Sequence, residues 1–340
     1  MKELLKNNID LLNIIFMMVS LIIAVFIPFK LFLFSYAVLG PLHYLTEINW
    51  LREKNFFMLS DRKFAVVFTL VAIMISLSPS INHFEINLYP SVQSFVDFIA
   101  RYESAFLIGS FLFAIGLLFY TNAKTLIVLL ISVSILSFLL TNYSPSRLIY
   151  VALFVPTLIH VYVFTLLFIL YGSIKSKSRT GVGSVFVLGT VPFVIMYLPV
   201  EIVEIAQPSK ETLNTFIQSS FATVSGSLAK SFGALEDGQF NLLSEMALRI
   251  QIFIAFAYTY HYLNWFSKTS IIGWSKSLSK QKMTWILIIY AFSLGIFYYD
   301  YKTGLIALFF LSFLHVLLEF PLNVLSIKGV FSEVLEKIKA

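Results

Sequence analysis

Four of the five histidines in this chain fall inside long apolar segments, where an ionisable side chain is costly and usually serves a function. These residues are His43, His160, His261 and His315. Neutral imidazole is the commonest metal ligand among protein side chains. The chain has no cysteine, so a bound metal must be held by imidazole, carboxylate or amide groups. The sequence therefore predicts a metal or cofactor site that these four histidines form.

Three of the four histidines have a carboxylate or an amide about one helical turn further along the chain. The pairs are His43 with Glu47, His261 with Asn264, and His315 with Glu319. Spacings of three and four place both side chains on one face of a helix. A ligating imidazole usually donates its second ring N–H to such a group, which fixes its tautomer. We expect the three partners to orient the imidazoles or to act as additional ligands.

The donor atoms limit the identity of the metal. Imidazole and carboxylate without sulfur suit iron, zinc or copper, and four histidines with open positions favour redox-active non-haem iron. Haem is the competing cofactor, because histidines on facing helices can ligate it axially, but the acidic residues near two histidines favour non-haem chemistry. Two interpretations without a metal stay open, namely a proton or ion pathway and structural polar packing between helices.

Aromatic residues surround the candidate ligands along the chain. They are Tyr44, Tyr162, Tyr258, Tyr260, Tyr262 and Trp265. A mostly apolar and aromatic lining is typical of a pocket for a hydrophobic ligand, so we expect a lipid or another hydrophobic small molecule as substrate. Ordinary helix packing is the alternative, because a chain with 36 Phe and 17 Tyr places aromatic rings near most residues.

The composition determines which elements must position these residues. Of the 340 residues, 59% are hydrophobic and only 12% are charged. A soluble protein of this size needs many more charged residues to cover its surface, so the chain is predicted to lie among membrane lipids. This composition excludes a soluble enzyme, a nucleic-acid-binding protein and a disordered tail.

Ten apolar runs are long enough to cross roughly 30 Å of hydrocarbon. They are residues 11–28, 31–51, 64–79, 105–121, 125–141, 148–172, 184–203, 248–266, 283–299 and 304–327. The sequence thus predicts an all-α, polytopic membrane helical bundle with about ten transmembrane helices, forming a single transmembrane domain over residues 1–340. Two longer linkers, 80–104 and 204–247, are predicted to be extracytoplasmic and, being partly amphipathic, to lie on the membrane as interfacial helices.

Ten crossings place both termini on one side of the membrane. If that side is the cytoplasm, most of the 24 Lys and Arg fall in cytoplasmic segments, as the positive-inside rule requires. We therefore predict an integral, multi-pass protein with cytoplasmic N- and C-termini. In this topology the four histidine spans run in the same direction. Each histidine lies about 11 to 13 residues from the outer end of its span, so their common depth predicts one shared site.

Two segments resemble the Brp/Blh-type membrane carotene dioxygenases. Residues 40–47, GPLHYLTE, resemble that family's first histidine helix, in which a Gly precedes the His by three positions and an acid follows it by four. Residues 260–266, YHYLNWF, loosely resemble its later histidine helix. The family's histidine after the acid is Ile48 here, and the second histidine of its later helix corresponds to Trp265.

The resemblance implies a multi-span oxygenase with His-bound iron and an apolar substrate, in which His160 and His315 supply the missing ligands. We accordingly predict a membrane-embedded, His-ligated non-haem iron oxygenase or related oxidoreductase that acts on a lipid or polyene. Two alternatives stay open. One is a proton-coupled transporter or channel that uses the same layer of His and Glu residues, and the other is a haem-binding electron-transfer protein.

Overall fold

The computed structural model describes residues 2–144, 150, 152–233, 235, 238–268 and 273–339. These residues are predominantly helical and include no β-strand, which confirms the predicted all-α fold. Positions 148, 149 and 151 of the sixth predicted span lie outside the described residues. So do positions 234, 236 and 237 of the second predicted linker.

The helices are numbered here in chain order. They are α1 (Lys2–Phe26), α2 (Pro28–Phe34), α3 (Gly40–Glu53), α4 (Ala65–His83), α5 (Pro90–Arg101), α6 (Glu103–Leu117), α7 (Ala123–Tyr143), α8 (Thr165–Ser176), α9 (Arg179–Met196), α10 (Val200–Glu204), α11 (Lys210–Gln218), α12 (Ala222–Ser231), α13 (Glu245–Ser267), α14 (Lys280–Tyr299) and α15 (Tyr301–Lys339). Two π-helical segments, π1 (Ser35–Leu39) and π2 (Val155–Phe164), precede α3 and α8.

Eight helical segments in the described part of the chain are long and apolar enough to cross a membrane. They are Ile9–Phe26, Pro28–Glu53, Arg62–His83, Ala123–Tyr143, Ala152–Ser176, Arg179–Met196, Lys280–Tyr299 and Tyr301–Glu333. Helices α5 and α6 meet at a bend of 59° and form a ninth candidate if the pair is one span. Large apolar side chains on these helices, such as Phe186 and Phe193, are exposed as contact with hydrocarbon requires. The protein is a multi-pass membrane protein.

The chain forms two compact units. The first comprises Met1–His43, Leu158–Lys276 and Gly329–Ala340, and the second comprises Tyr44–Thr157 and Ser277–Lys328. In the first unit α13 is the central helix, because α1, α2, π1, α9, α10 and α12 all contact it. Nearly every residue of α13 from position 247 to 265 is buried. Its polar residues therefore face other helices, and this helix is not apolar enough to count among the eight candidate spans.

An aromatic cluster joins α2 to α11 and α13 in the first unit. Phe32 contacts the edges or faces of Phe221 and Tyr258 at centroid distances of 4.7 and 5.0 Å. Phe29 meets Phe216 at 5.0 Å in the same perpendicular geometry. Each such pair contributes about 0.5 to 1.5 kcal/mol beyond the burial of its surface. The cluster therefore fixes α2 on α13, and with it the start of α3.

Small residues allow close helix contacts in the second unit. A Cβ atom built on Gly116 of α6 would lie 1.9 Å from Leu129 Cδ2 of α7. One built on Gly304 of α15 would lie 2.9 Å from the Cα atom of Phe297 in α14. Close approach of backbones increases the dispersion contacts that hold helices together in lipid. The contact at Gly304 is with backbone and leaves no room for a Cβ atom, whereas at Gly116 the end of the Leu129 side chain would have to move.

A buried arginine connects α13 to the end of α9. Arg249 is 7% exposed, and its Nη1 donates to the carbonyl oxygens of Ile195 and Met196 at 2.8 and 2.9 Å. Its Nη2 donates to the Leu198 carbonyl at 2.8 Å, while Nε and Nη2 both donate to Glu245 Oε1. The last carbonyls of a helix have no partner within the helix. Arg249 supplies donors to these carbonyls and fixes α9 on α13.

We expect Arg249→Met to destabilise the protein by about 3 kcal/mol, because the carbonyls of Ile195, Met196 and Leu198 lose the guanidinium donors. Arg249→Lys should recover only part of the loss, since an ammonium cannot reproduce the planar fork of a guanidinium. Thermal unfolding of the purified protein in detergent measures both effects. Arg101→Met, at an exposed position, is the matched control. Equal melting temperatures for wild type and Arg249→Met would contradict this role.

Candidate metal centre

Three of the four predicted ligands are neighbours in the first unit. His261 of α13 lies between His43 of α3 and His160 of π2. Its Nε2 is 3.1 Å from His43 Nε2, and its ring centroid is 5.0 Å from that of His160. All three imidazoles are buried. The apolar runs that are far apart in sequence thus bring three imidazoles into one cluster.

The 3.1 Å separation between the Nε2 atoms of His43 and His261 suits two ligands of one ion. At metal–nitrogen distances of about 2.0 to 2.1 Å, two nitrogens lie about 2.9 Å apart at a right angle and about 3.4 Å apart at the tetrahedral angle. The observed separation falls between these values. The same distance also allows a direct hydrogen bond in which one ring is protonated at Nε2.

A threonine contacts the other nitrogen of His261. Thr165 Oγ1 lies 2.8 Å from His261 Nδ1, and both atoms are buried. If Nε2 binds a metal, Nδ1 has the proton and donates it to the hydroxyl oxygen, which fixes the ring orientation. Sequence reasoning missed Thr165 because its contact joins residues 96 positions apart and no local spacing indicates it.

A group of three buried side chains can supply ligands to one ion. One ligand atom each from His43, Glu47 and His315 lies within 4.8 Å of the others. No other group of three such side chains as close as this occurs among the described residues. His43 and Glu47 share one face of α3, as their spacing predicted. The ring of His315, on α15, stacks on that of Tyr44 at 4.4 Å.

Helix α15 has a polar stripe that extends beyond His315. Glu319 follows after one turn and Asn323 after two, and both side chains are buried. Asn323 is 0% exposed, and neither atom of its amide has a hydrogen-bond partner in the described part of the chain. Such a group costs about 1 to 3 kcal/mol unless it binds something. Sequence reasoning missed Asn323, although its spacing of four from Glu319 was a usable signal.

Asn264, one turn after His261, is buried on α13. Its side-chain oxygen accepts no hydrogen bond from any described residue. Tyr262 and Trp265 of the same helix pack against the His43 ring at centroid distances of 5.1 and 5.6 Å. Of the predicted pocket residues, Tyr262 and Trp265 thus contact the His43 ring, and Tyr44 contacts the His315 ring.

The other predicted pocket residues make different contacts. The hydroxyl of Tyr162 donates to the carbonyl oxygen of Leu188 at 2.6 Å. Tyr258 belongs to the aromatic cluster around Phe32. Tyr260 stacks on Phe256 at 5.9 Å and directs its hydroxyl to Asn13. These three tyrosines connect helices within the first unit.

Both π-helical segments occur in stretches that lead to candidate ligands. Segment π1 ends directly before α3, which contains His43, and π2 contains His160. The hydroxyls of Ser35 and Thr259 are 2.7 Å apart, so π1 is hydrogen-bonded to α13. π-Helical turns are rare and frequently occur at functional sites. Their wider turn changes the direction of the side chains that follow, which a count at uniform α-helical rise cannot anticipate.

If His261 binds a metal through Nε2, Thr165→Val should lower the affinity for a divalent ion about 10- to 100-fold, because His261 Nδ1 loses the acceptor that orients the ring. Anaerobic titration of the purified protein with Fe²⁺ measures the effect. Thr141→Val is the matched control, since that buried hydroxyl donates only to Ser137 of its own helix. An unchanged affinity in Thr165→Val would contradict a role for Thr165 in metal binding.

Comparisons with known proteins identify no relative. No protein-family model matches the chain. Neither the curated proteins nor the solved structures contain a match. A functional conclusion must therefore come from the chemistry of the buried side chains.

Proposed function

We propose that the protein is a membrane-embedded oxidoreductase with a His-ligated non-haem iron and a hydrophobic substrate. The observation that supports it best is the buried group of His43, Glu47 and His315. Imidazole nitrogen and carboxylate oxygen together suit a redox-active divalent metal without sulfur ligands. A bound iron would supply the oxidation chemistry.

The protein's own residues have distinct roles in this proposal. His43, Glu47 and His315 are the ligands. His261, whose Nε2 lies 3.1 Å from that of His43, is a further candidate ligand outside this group of three. His160, whose ring contacts that of His261, is another candidate ligand. Glu319 on α15 and Asn264 on α13 position ligating groups, and Asn323 follows Glu319 on α15.

Charge supports a cation at this position. Ionised carboxylates are costly in an apolar interior unless a cation or several hydrogen bonds compensate them. Glu47 and Glu319 are both buried within the candidate spans. A divalent metal would compensate the negative charge of a carboxylate that is ionised there.

The side chains around the imidazoles support a hydrophobic substrate. Tyr44, Tyr262 and Trp265 place aromatic rings against His43 and His315, which suits an extended apolar molecule. The resemblance of residues 40–47 to the first histidine helix of the carotene dioxygenases favours a lipid or polyene. Both a lipid and a polyene could enter such a site from the bilayer.

Proton-coupled transport is the second candidate, and one observation favours it. The stripe of His315, Glu319 and Asn323 extends about 12 Å along α15, which is longer than the coordination shell of one ion. Titratable groups spaced along a span are typical of proton relays.

Haem fits this site less well than non-haem iron does. Two histidine nitrogens that bind one haem from opposite faces would lie about 4 Å apart, whereas the Nε2 atoms of His43 and His261 are 3.1 Å apart.

We also propose ten membrane crossings with both termini in the cytoplasm. The eight candidate spans and the bent pair α5–α6 account for nine. Helix α13 is the tenth, since its 23 residues extend about 35 Å. A span enclosed by other helices has little lipid contact, so its polar residues do not exclude it. The distribution of Lys and Arg supports the orientation.

Purified protein should contain about one or two irons and show no Soret band, which haem would give. Glu47→Gln should empty the site or weaken metal binding most, because an amide replaces a ligating carboxylate. Glu319→Gln should lower metal affinity about 10- to 100-fold and leave some metal bound. Metal analysis and visible spectra measure these outcomes.

Glu204→Gln, at an exposed position outside the candidate spans, is the matched control. Unchanged metal content in both buried variants, with loss of pH-dependent flux, would favour the transporter. Unchanged metal content together with unchanged turnover would show that the acidic residues are structural and would refute the proposed centre.

The topology can be tested with introduced cysteines, because the chain has none of its own. Ser279→Cys should be shielded from a membrane-impermeant thiol reagent in intact cells, whereas Asn241→Cys should react. Both positions are exposed. Permeabilised cells, in which both should react, are the control. Labelling of Ser279→Cys in intact cells would show that this position is outside the cell and would contradict the proposed orientation.

A further inference from the structure

A basic cavity, open to solvent on one side and lined mostly by exposed side chains, lies in the second unit, where α3 ends and where α4 and α14 begin. Its volume is about 300 Å³, and its lining residues are Arg52, Glu53, Asn55, Arg62 and Lys282. A water molecule occupies about 30 Å³ of liquid, so the space is sufficient for a phosphate group with part of its hydration shell. Three of the five lining side chains are cationic and one is anionic.

The single carboxylate does not neutralise the cavity. Glu53 forms an ion pair with Lys282 Nζ and thereby balances one of the three cations. Neither the Arg52 nor the Arg62 side chain forms a hydrogen bond or ion pair with any described residue. The two guanidinium groups therefore have donors available to a ligand, and the cavity has an excess of positive charge.

The loop between α3 and α4 has a strained backbone. Asn55, Phe56 and Phe57 are consecutive non-glycine residues with φ angles of 52°, 52° and 57°. The Asn55 side chain fixes this conformation by donating to the carbonyl oxygens of Met58 and Ser60 at 3.0 and 3.2 Å. Left-handed backbone in such residues is unfavourable and persists mainly where surrounding contacts enforce it, often at functional sites.

We propose that this cavity binds a phosphate-bearing anion through Arg52 and Arg62. A guanidinium presents a planar fork of N–H donors that matches two oxygens of a phosphate. The ligand is either the headgroup of an anionic lipid or a soluble phosphate compound, since the cavity lies at the ends of candidate spans. Basic residues that only set the orientation of a membrane protein do not need to line a cavity or to present guanidinium donors to a ligand.

The test uses the full-length protein in phosphatidylcholine nanodiscs. Its melting temperature is measured with sodium phosphate against sodium chloride at equal ionic strength, and again in nanodiscs that contain phosphatidylglycerol. One of the two anions should raise the melting temperature in a saturable way. Arg52→Gln and Arg62→Gln should each weaken that binding about 10-fold or more. Arg101→Gln, an exposed arginine that does not line the cavity, should bind as wild type does.

Arg52→Lys and Arg62→Lys separate geometry from charge, because they keep the basic charge that topology requires. Both should fold and insert normally and still bind the anion more weakly than wild type. A response to phosphate identifies a soluble ligand, and a response to phosphatidylglycerol alone identifies a lipid. Absence of both responses, equal losses in Arg101→Gln, or full binding in the lysine variants would overturn the proposal.

Discussion

Water is absent from the interior of a bilayer, so each buried polar group must find its partner within the protein. Arg249 and His261 of helix α13 show how this chain meets that requirement. Arg249 near one end is surrounded by carbonyl oxygens, and His261 near the other end contacts a threonine and two imidazoles. Enclosure by six neighbouring segments allows such a helix to exist in a membrane. The fold of the first unit therefore depends on satisfying the polar residues of α13.

The same requirement links the architecture to the candidate chemistry. Aromatic contacts fix α2 on α13, and the hydroxyl contact between Ser35 and Thr259 fixes π1 there. The helix that contains His43 follows directly, so the position of its imidazole beside His261 is determined by elements outside the site. Rigid placement of this kind is what a metal-binding or proton-conducting group needs, since either activity is sensitive to small displacements.

The sequence predicted the helical class because composition alone excludes most alternatives. It also indicated the buried histidines, since an imidazole in an apolar run has few structural explanations. It did not predict Thr165, whose role depends on a contact between distant segments, or the loop at Asn55, whose left-handed backbone has no glycine to indicate it. The number of spans is difficult to derive for a related reason. A hydropathy criterion selects helices with apolar side chains, and α13, which other helices enclose, has too many polar residues to meet it.

The two π-helical segments have a consequence for how a site like this one can be recognised. A π turn is geometrically equivalent to one extra residue inserted into an α-helix. A second protein could hold the same imidazoles in the same positions with a chain one residue shorter at each segment. Sequence motifs of fixed spacing would then fail to align the two proteins, even though their ligands superimpose. For chains of this type, similarity is better sought in the spatial arrangement of the buried side chains.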